Sequence, residues 1–208
     1  MADIGCGSGG QTLTLAKKLD GHITAVDLFP EFLEELKVRS GKEGLDHRIS
    51  TLTASMDDLP FGEEEFDLIW SEGAIYLMGF EKGITKWIQH LKPGGILAVS
   101  DISWITDKRP DALEKFWAEE CPEIDTVDAK LKVLETQGYA PLGHFILPED
   151  CWIENYYRPL QESHDTFLER QGHSNEAREL VKLDTHEYEM YLQYKEHYSY
   201  GFYVAKKL

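Results

Sequence analysis

Cysteine, basic residues and long apolar runs are all scarce in this chain, and each shortage excludes a class of protein. Among 208 residues there are three cysteines, Cys6, Cys121 and Cys151, and because they are far apart and form no CxxC pair, we expect neither a disulfide framework nor a zinc site. Lys and Arg total 21 against 38 Asp and Glu, and the net charge of −17 disfavours nucleic acid and anionic lipid as partners. No segment is apolar over the length of a membrane span. We therefore expect one α/β domain in the reducing cytoplasm, with no nucleic-acid or membrane partner.

Glycine, by contrast, is concentrated near the start of the sequence. The segment Asp3-Ile-Gly-Cys-Gly-Ser-Gly-Gly10 joins a short predicted strand, Met1–Ile4, to a helix predicted from Gln11 to Leu19. Glycines let a ligand approach the backbone closely, and a helix N-terminus offers unpaired N–H groups. The segment therefore predicts a site for a nucleotide-like cofactor.

The glycine spacing fits two classes of cofactor. Gly5, Gly7 and Gly10 match the G-x-G-x-x-G pattern of dinucleotide-binding folds. Gly5, Gly7 and Gly9 match the pattern G-x-G-x-G instead. Asp3 favours the second pattern, because a carboxylate at the strand end can accept from loop N–H groups or meet a cationic part of a ligand. Dinucleotide sites need no acid there.

Strand and helix patterns alternate through the first half of the chain. Further strands are predicted at His22–Asp27, Ile49–Thr53, Phe66–Ser71 and Ile96–Ser100, with helices at Glu31–Arg39 and Lys82–Leu91. Repeated βα units of this length indicate a parallel sheet with helices on both faces. Ligands of such sheets bind beyond the carboxyl ends of the strands, where the glycine segment lies.

Two other strand ends carry candidate cofactor residues. Asp27 closes the second strand about 20 residues beyond Gly7, where a carboxylate can take both hydroxyls of a ribose. The alternative is a helix cap just before Pro30. After the third strand, Met56 is suited to an adenine face, and Asp57 or the Ser55 hydroxyl to its edge. The alternative is an ordinary turn whose apolar side chains, Leu59 and Phe61, pack into the core.

The turn Leu91-Lys-Pro-Gly-Gly95 completes an ordered set of motifs. It follows the segment Asp3–Gly9, the acid Asp27, the run Asp58-Leu-Pro-Phe61 and the strand start Phe66-Asp-Leu-Ile69. Over residues 1 to about 104 the chain resembles the class I S-adenosyl-L-methionine-dependent methyltransferases that act on small molecules. It is also similar to bacterial methyltransferases that carry Trp-Ser-Glu-Gly-Ala-Ile-Tyr after the fourth strand, here residues 70–76.

The resemblance implies a fold and a cofactor. The fold is a doubly wound, mostly parallel, Rossmann-like sheet of seven strands, of which the last is antiparallel. Gly143–Pro148 and Ser199–Lys206 are predicted as its sixth and seventh strands. The division implied is a cofactor-binding half, residues 1–104, and a substrate-side half, residues 105–208.

Residue by residue, the resemblance also implies a set of contacts with S-adenosylmethionine. Gly5, Gly7 and Gly9 would line its methionine part, with Asp3 near the amino group. Asp27 would bind the ribose, with Leu28 beside it, and Ser55 and Met56 would lie at the adenine. Many relatives have Asp at the position of Ser55, so Asp57 or the backbone is the expected substitute acceptor for the adenine amino group.

The N-terminus departs from the pattern of this family. Only Met1 to Ile4 precede the glycine turn, whereas relatives usually carry additional N-terminal helices that close over the cofactor. We expect a truncated N-terminus, since an exposed central strand end leaves core surface uncovered. The alternative is a natural short form in which Met1 fills an apolar strand position.

The expected substrate side begins after the fourth strand. Glu72 and Tyr76 are predicted to face the transferable methyl group, with Glu72 as the base or as the group that orients a cationic amine. A helix cap for Glu72 and a core position for Tyr76 are the alternatives. Residues 101–104 follow the predicted fifth strand and are a candidate second wall.

A long insertion precedes the last strand. Residues 150–197 contain two predicted helices, Glu154–Gln171 and Asn175–Lys195, separated at Gly172. Aromatic residues recur through both helices. They indicate either the packing face of amphipathic helices or a lid over a small-molecule pocket.

The resulting hypothesis is methyl transfer to a small-molecule acceptor by in-line displacement. Aromatic residues beside a carboxylate favour an amine nitrogen slightly over hydroxyl or carbon acceptors. One alternative is a module that binds the cofactor without catalysis. A less favoured one is a dinucleotide-dependent oxidoreductase, which the turn Leu91–Gly95 disfavours. The sequence indicates neither the acceptor nor the oligomeric state.

Overall fold

The computed structural model describes residues 1–208, and its strands form one mixed β-sheet. The strands are β1 (Ala2–Ile4), β2 (Ile23–Asp27), β3 (Ile49–Thr53), β4 (Phe66–Ser71), β5 (Leu91–Trp104), β6 (Asp125–Thr126), β7 (Tyr139–Ile146) and β8 (Tyr198–Lys207). They lie in the order β3-β2-β1-β4-β5-β8-β7, and the short β6 pairs with the end of β5. β1 to β5 are parallel, and β8 is antiparallel to both of its neighbours. The predicted fold class is confirmed.

Eight α-helices connect these strands. They are α1 (Gly10–Lys18), α2 (Pro30–Lys42), α3 (Phe80–Trp87), α4 (Asp111–Glu120), α5 (Val127–Thr136), α6 (Glu149–Trp152), α7 (Arg158–Arg170) and α8 (Asn175–Tyr194). A π-helical turn, Ile153–Tyr157, joins α6 to α7. None of the helices combines the length and the apolar character that crossing a bilayer requires.

Separate cores cover the two faces of the sheet. On one face, Leu13 of α1 and Leu33 of α2 pack with Ile23 of β2. On the other face, Ile84 of α3 packs with Ile69 of β4, in a core that also contains residues of α5 and β8. Because successive side chains of a strand point to opposite faces, both faces of the central strands are apolar.

A third core lies beyond the end of β5, under the insertion. It joins β5, α4, the α6–α7 segment, α8 and β8, and its buried members are Ile102, Trp104, Leu113, Trp117, Cys121, Trp152, Tyr157, Tyr191 and Tyr198. Most of the aromatic residues predicted as lid or packing residues are therefore packing residues. This core fixes the two long helices of the insertion over one end of the sheet.

Several predicted boundaries are wrong, and the largest error concerns the fifth strand. The sequence predicts Ile96–Ser100, but β5 begins at Leu91, which pairs with Phe66 of β4, and continues to Trp104, which pairs with Tyr198 of β8. Residues 101–104 therefore lie within a strand and do not form a loop after it. The sixth predicted strand, Gly143–Pro148, is shifted to Tyr139–Ile146. The helix predicted at Lys82–Leu91 is α3, which ends at Trp87.

The strand order places the loops of interest together. The chain runs outward from β1 through β2 to β3, and then crosses back so that β4 lies on the other side of β1. This reversal creates a crevice at the carboxyl ends of β1 and β4. The glycine segment, Asp27 and the segment after Ser71 all follow strands that end there.

Candidate active site

The loop between β1 and α1 is held against β2 by backbone hydrogen bonds. The amides of Gly5 and Cys6 both donate to the carbonyl oxygen of Val26, at 2.9 and 3.0 Å. The Gly7 amide donates to Oδ2 of Asp27 at 2.8 Å. These three bonds fix the loop at the edge of the crevice.

The three glycines of the loop have different surroundings, although all have positive φ. A Cβ atom at Gly5 would lie 2.4 Å from Cβ of Ala74, and one at Gly9 would lie 2.2 Å from Cδ1 of Leu36. At Gly7 no protein atom lies within 4 Å of that position. Gly5 and Gly9 are therefore required by the packing of the loop, and Gly7 borders space in which a ligand fits.

Two side chains that the sequence analysis missed also support the loop. Arg39 of α2 donates from Nη1 to the Ser8 carbonyl oxygen at 2.8 Å. The Thr12 hydroxyl donates to Oδ2 of Asp3 at 2.6 Å and so ties α1 to β1. Neither residue belongs to the glycine motif, and only the fold brings both to it.

Asp3 is enclosed beneath the loop, with 2% of its surface exposed. Burial raises its pKa to about 7, the Thr12 hydrogen bond opposes this, and the carboxylates of Glu72 and Asp27 add to it. The pKa of this carboxyl group therefore lies near neutral pH, well above its ordinary value. Its ionisation state is coupled to two other predicted site residues.

Asp27 uses both carboxylate oxygens to bind backbone amides. Besides Oδ2, which accepts from Gly7, Oδ1 accepts from the Phe29 amide at 3.0 Å. This second bond goes to the N-cap residue of α2, which has no side-chain cap, so it closes a local turn and is not the helix cap considered as the alternative role of Asp27. Each oxygen retains a lone pair for a further donor. Leu28 follows with 57% of its surface exposed.

The segment after β3 is bound to α3. Nε1 of Trp87 donates to the Met56 carbonyl oxygen at 3.1 Å, and a Cβ atom at Gly5 would be 3.6 Å from Met56 Cε. Asp57 forms an ion pair with Lys82 at 2.6 Å, while its amide donates to the Ser55 hydroxyl oxygen at 3.2 Å. Met56 therefore lies against the glycine loop, but the Asp57 carboxylate is engaged by α3.

A cavity of about 550 Å³ lies beside the loop, between the sheet and the insertion. Gln11 of α1 and the residues Glu72, Gly73 and Tyr76 after β4 form its wall on the loop side. Ser100 and Ile102 of β5, with Tyr200 of β8, form its wall at the sheet. The rest of the lining comes from α4 and Cys121 after it, from Leu147 after β7, from the α6–α7 segment and from α8. The structure therefore brings both predicted catalytic residues into one cavity.

The lining of this cavity is acidic and aromatic. Its carboxylates are Glu72, Glu120, Asp184 and Glu187, and its aromatic residues are Tyr76, Phe116, Trp117, Trp152, Tyr156 and Tyr200. His186 is the only basic side chain, and no Lys or Arg lines the cavity. Burial raises the pKa of Glu72 and of Tyr76.

The alternate residues of β5 face away from the cavity. Asp101 is buried and forms an ion pair with Lys130 of α5, which also lies over the ring of Phe80 at 4.7 Å. Burial raises the pKa of Asp101, and the Lys130 charge lowers it. Asp101 thus joins the sheet to α5. Within the predicted second wall, Ile102 lines the cavity, whereas Trp104 is part of the buried core.

The sequence analysis did not identify the acids of α4 and α8. Glu120, Asp184 and Glu187 are far apart from Glu72 in sequence and match no motif. For Asp184 and Glu187 the one signal was the recurrence of acids among the aromatic residues of the insertion, and Glu120, on α4, had none. That signal did not show which face of each helix meets the sheet.

Comparison with known proteins agrees with this architecture. A family described as "Methyltransferase domain" matches residues 1–95. Methyltransferase GfsG of Streptomyces halstedii is 33% identical over 101 residues, which cover 48% of this chain and 36% of GfsG. Erythromycin 3''-O-methyltransferase of Saccharopolyspora erythraea is 36% identical over 105 residues, covering 48% of this chain and 33% of that protein. The aligned region thus spans about a third of each of these relatives.

The fold has a solved counterpart over its full length. A methyltransferase from Geobacter sulfurreducens, solved in complex with S-adenosyl-L-homocysteine, superimposes with a TM-score of 0.86 at 19% identity. The match covers 100% of this chain and 84% of the other. Residues 1–95 thus match a methyltransferase domain family, and the whole chain has the fold of this S-adenosyl-L-homocysteine-bound methyltransferase.

Proposed function

We propose that this chain transfers a methyl group from S-adenosylmethionine to an amine nitrogen of a small acceptor held in the cavity. The observation that carries the proposal is the lining of that cavity, which adjoins the glycine loop and combines carboxylates with aromatic rings but has no Lys or Arg. Carboxylates and aromatic faces attract organic cations and their methylated products. An anionic acceptor would be repelled from such a wall.

The residues at the crevice fit the cofactor of this family. The open space at Gly7 and the remaining lone pairs of Asp27 suit a ligand with a polar chain and a ribose. Helix α1 begins at Gly10 with no side-chain cap and no acid in its first turn, so its N-terminal amides are available to a carboxylate. Leu28 and Met56 supply apolar surface for a base. Because Lys82 engages Asp57, we assign the adenine edge to Ser55 and the backbone.

The cavity residues determine what happens to the acceptor. When bound, S-adenosylmethionine supplies a sulfonium methyl group, to which the nitrogen lone pair bonds while the electron pair of the broken C–S bond stays on sulfur. Glu72 accepts the proton that the nitrogen loses, and its raised pKa makes it a better acceptor. Tyr76 and the aromatic residues exclude water and orient the acceptor.

We assign different roles to the two halves of the chain, according to the strands that each contributes. Residues 1–104 hold the cofactor, and residues 105–208 form most of the acceptor wall. Within the latter, residues 150–197 act as the lid. We place this activity in the cytoplasm, as the composition predicts.

Two measurements test the proposal. Calorimetric titration with S-adenosylhomocysteine should show micromolar binding, with none for NAD as the control. Mass spectrometry should then detect methylated product from a panel of small amines and not from alcohols and phenols of matched shape. Binding without turnover of any acceptor would favour a cofactor-binding module, and binding of NAD alone would contradict the family-based cofactor. Turnover of phenols alone would contradict an amine acceptor.

A further inference from the structure

The lid helix α8 places a carboxylate in the cavity at a defined position. Glu187 lines the cavity, and its Oε1 accepts a hydrogen bond of 2.9 Å from the Tyr157 hydroxyl. Tyr157 is buried in the core beneath the insertion, so it fixes one carboxylate oxygen. The geometry of Glu187 is therefore set by the packing of the lid.

Glu187 has other acids around it, and no Lys or Arg lines the cavity to balance them. Asp184 lies one helical turn earlier on α8, and Glu120 comes from the end of α4, and both line the same cavity. Asp184 has a basic partner, His164, at 3.5 Å. Glu120 and Glu187 have no ion-pair partner in the protein. Burial raises the pKa of Glu187, and repulsion from Asp184 and Glu120 adds to this.

Glu72 and this group of acids enter the cavity from different elements. Glu72 enters from the end of β4, where it acts electrostatically on Asp3 beneath the glycine loop. Glu187 enters from α8, where it acts on Tyr156 and Tyr200 of the cavity wall. The cavity thus has an acid at its cofactor end and a second acidic region under the lid, with tyrosine and tryptophan faces in the wall. A cation bound under the lid would be stabilised by both carboxylates and π faces.

We propose that the acceptor carries two positive centres, as an aliphatic diamine does. One nitrogen lies at Glu72, gives up a proton to that carboxylate and then uses its freed lone pair to take the methyl group. The distal nitrogen stays an ammonium and is bound under the lid by Glu187, with Asp184 and Glu120 around it. This inference rests on the proposed function for the identity of the reacting atom. Binding of the distal ammonium depends on the protein alone, so it is measurable with and without the cofactor product.

The test is a series of α,ω-diamines from three to eight carbons, titrated calorimetrically at low salt with and without S-adenosylhomocysteine. Each diamine is compared with the n-alkylamine of the same carbon number. We expect a diamine of one preferred length to bind about tenfold more tightly than its monoamine, the equivalent of one partly desolvated charge contact. Equal affinities throughout the series would overturn the inference.

Variants of α8 test whether the preference for a diamine over its monoamine depends on this helix. Glu187→Gln keeps an acceptor for the Tyr157 hydroxyl and should reduce the affinity of the preferred diamine to that of its monoamine. Glu189→Gln is the matched control, because Glu189 is on the same helix, is exposed and does not line the cavity. A diamine preference that survives in both Glu187→Gln and Asp184→Asn, with circular dichroism unchanged, would overturn the placement of the distal ammonium.

The two proposals fail separately. If S-adenosylhomocysteine does not bind, the proposed function fails, while the diamine titration of the cofactor-free protein still decides the inference. If the cofactor product binds but diamines and monoamines bind equally, the inference fails and the proposed function stands.

Discussion

The Glu72 carboxylate is the single group on which the proposed chemistry depends most. It lines the cavity at the cofactor end, and burial raises its pKa. We predict that Glu72→Gln lowers kcat about 100-fold, the usual contribution of a positioned base. The affinity for S-adenosylhomocysteine should fall much less, since this residue serves the acceptor. The measurements are steady-state kinetics and calorimetry.

A control at an exposed glutamate makes this result specific. Glu63 is exposed and outside the cavity, so Glu63→Gln should change neither kcat nor the affinity for S-adenosylhomocysteine. Equal losses of turnover and cofactor affinity in Glu72→Gln would show that Glu72 is not the base.

Asp3 gives a prediction about pH. Its pKa is raised from 3.8 to about 7 in the folded protein, so the native state binds more protons than the unfolded state between these values. The free energy of unfolding therefore falls as pH rises through this window. Asp3→Asn keeps an acceptor for Thr12 but does not titrate. We expect the wild type to lose stability relative to Asp3→Asn between pH 5 and pH 8, as measured by urea unfolding.

The same variant tests the role of Asp3 at the cofactor. If Asp3 lies near the methionine amino group, Asp3→Asn should also weaken S-adenosylhomocysteine binding at pH 8, where the wild-type residue is largely ionised. A parallel pH dependence of stability in both proteins would contradict the buried titration.

At the scale of the β1–α1 element, two glycines of one motif should differ in what their replacement does. Both have positive φ, +74° at Gly5 and +53° at Gly7, so alanine is strained at either position. At Gly5 the new methyl group would also meet Ala74, which is buried, whereas at Gly7 it would enter open space. We predict that Gly5→Ala costs about 1–3 kcal/mol more of unfolding free energy than Gly7→Ala.

Among the variants that fold, Gly7→Ala should lose more cofactor affinity than Gly5→Ala, although it loses less unfolding free energy. Gly7→Ala should weaken S-adenosylhomocysteine binding while its melting temperature remains closer to that of the wild type. Thermal unfolding and calorimetry measure the two effects. A Gly7→Ala protein with full cofactor affinity would show that the space at this loop position is not used.

The lid elements are stabilised mainly by their own aromatic packing. Trp152 stacks on Tyr191 at 4.7 Å and donates from Nε1 to Ser199 of β8 at 2.9 Å. These contacts join the insertion to the sheet and leave only Trp152 and Tyr156, among its aromatic residues, to line the cavity. The alternative of a packing face is thus correct for most of them, and the lid role stays a prediction for the residues of the insertion that line the cavity.

At the scale of the whole molecule, charge should govern the encounter with the acceptor. The net charge of −17 and the acidic cavity attract cations over distances that salt screens. We predict that KM for an amine acceptor rises severalfold between 20 and 300 mM NaCl while kcat changes little. A KM independent of salt would contradict a cationic acceptor, and an uncharged salt substitute of equal osmolality is the control.

The residues near the glycine motif show what was predictable from sequence. β3 and β4 begin and end where the alternation of apolar residues predicts, and residues 1–95 match a methyltransferase domain family, as the order of the motifs suggested. Such features depend on local preferences and on a spacing within one βα unit. The errors, in contrast, occur where the partner is distant, as at β5, whose length depends on pairing with β8.

The sequence by itself determined the alternation of strands and helices and the position of the glycine loop, because steric limits on backbone angles and side-chain periodicity act over a few residues. The cofactor was predicted from the resemblance of the ordered motifs to a known family. Only the tertiary structure decided that Asp57 is engaged by Lys82, that Asp101 is paired with Lys130, and that Glu187 enters the cavity. Each of these depends on which faces of distant elements meet. That is settled by burying apolar surface over the whole chain, and no local pattern specifies it.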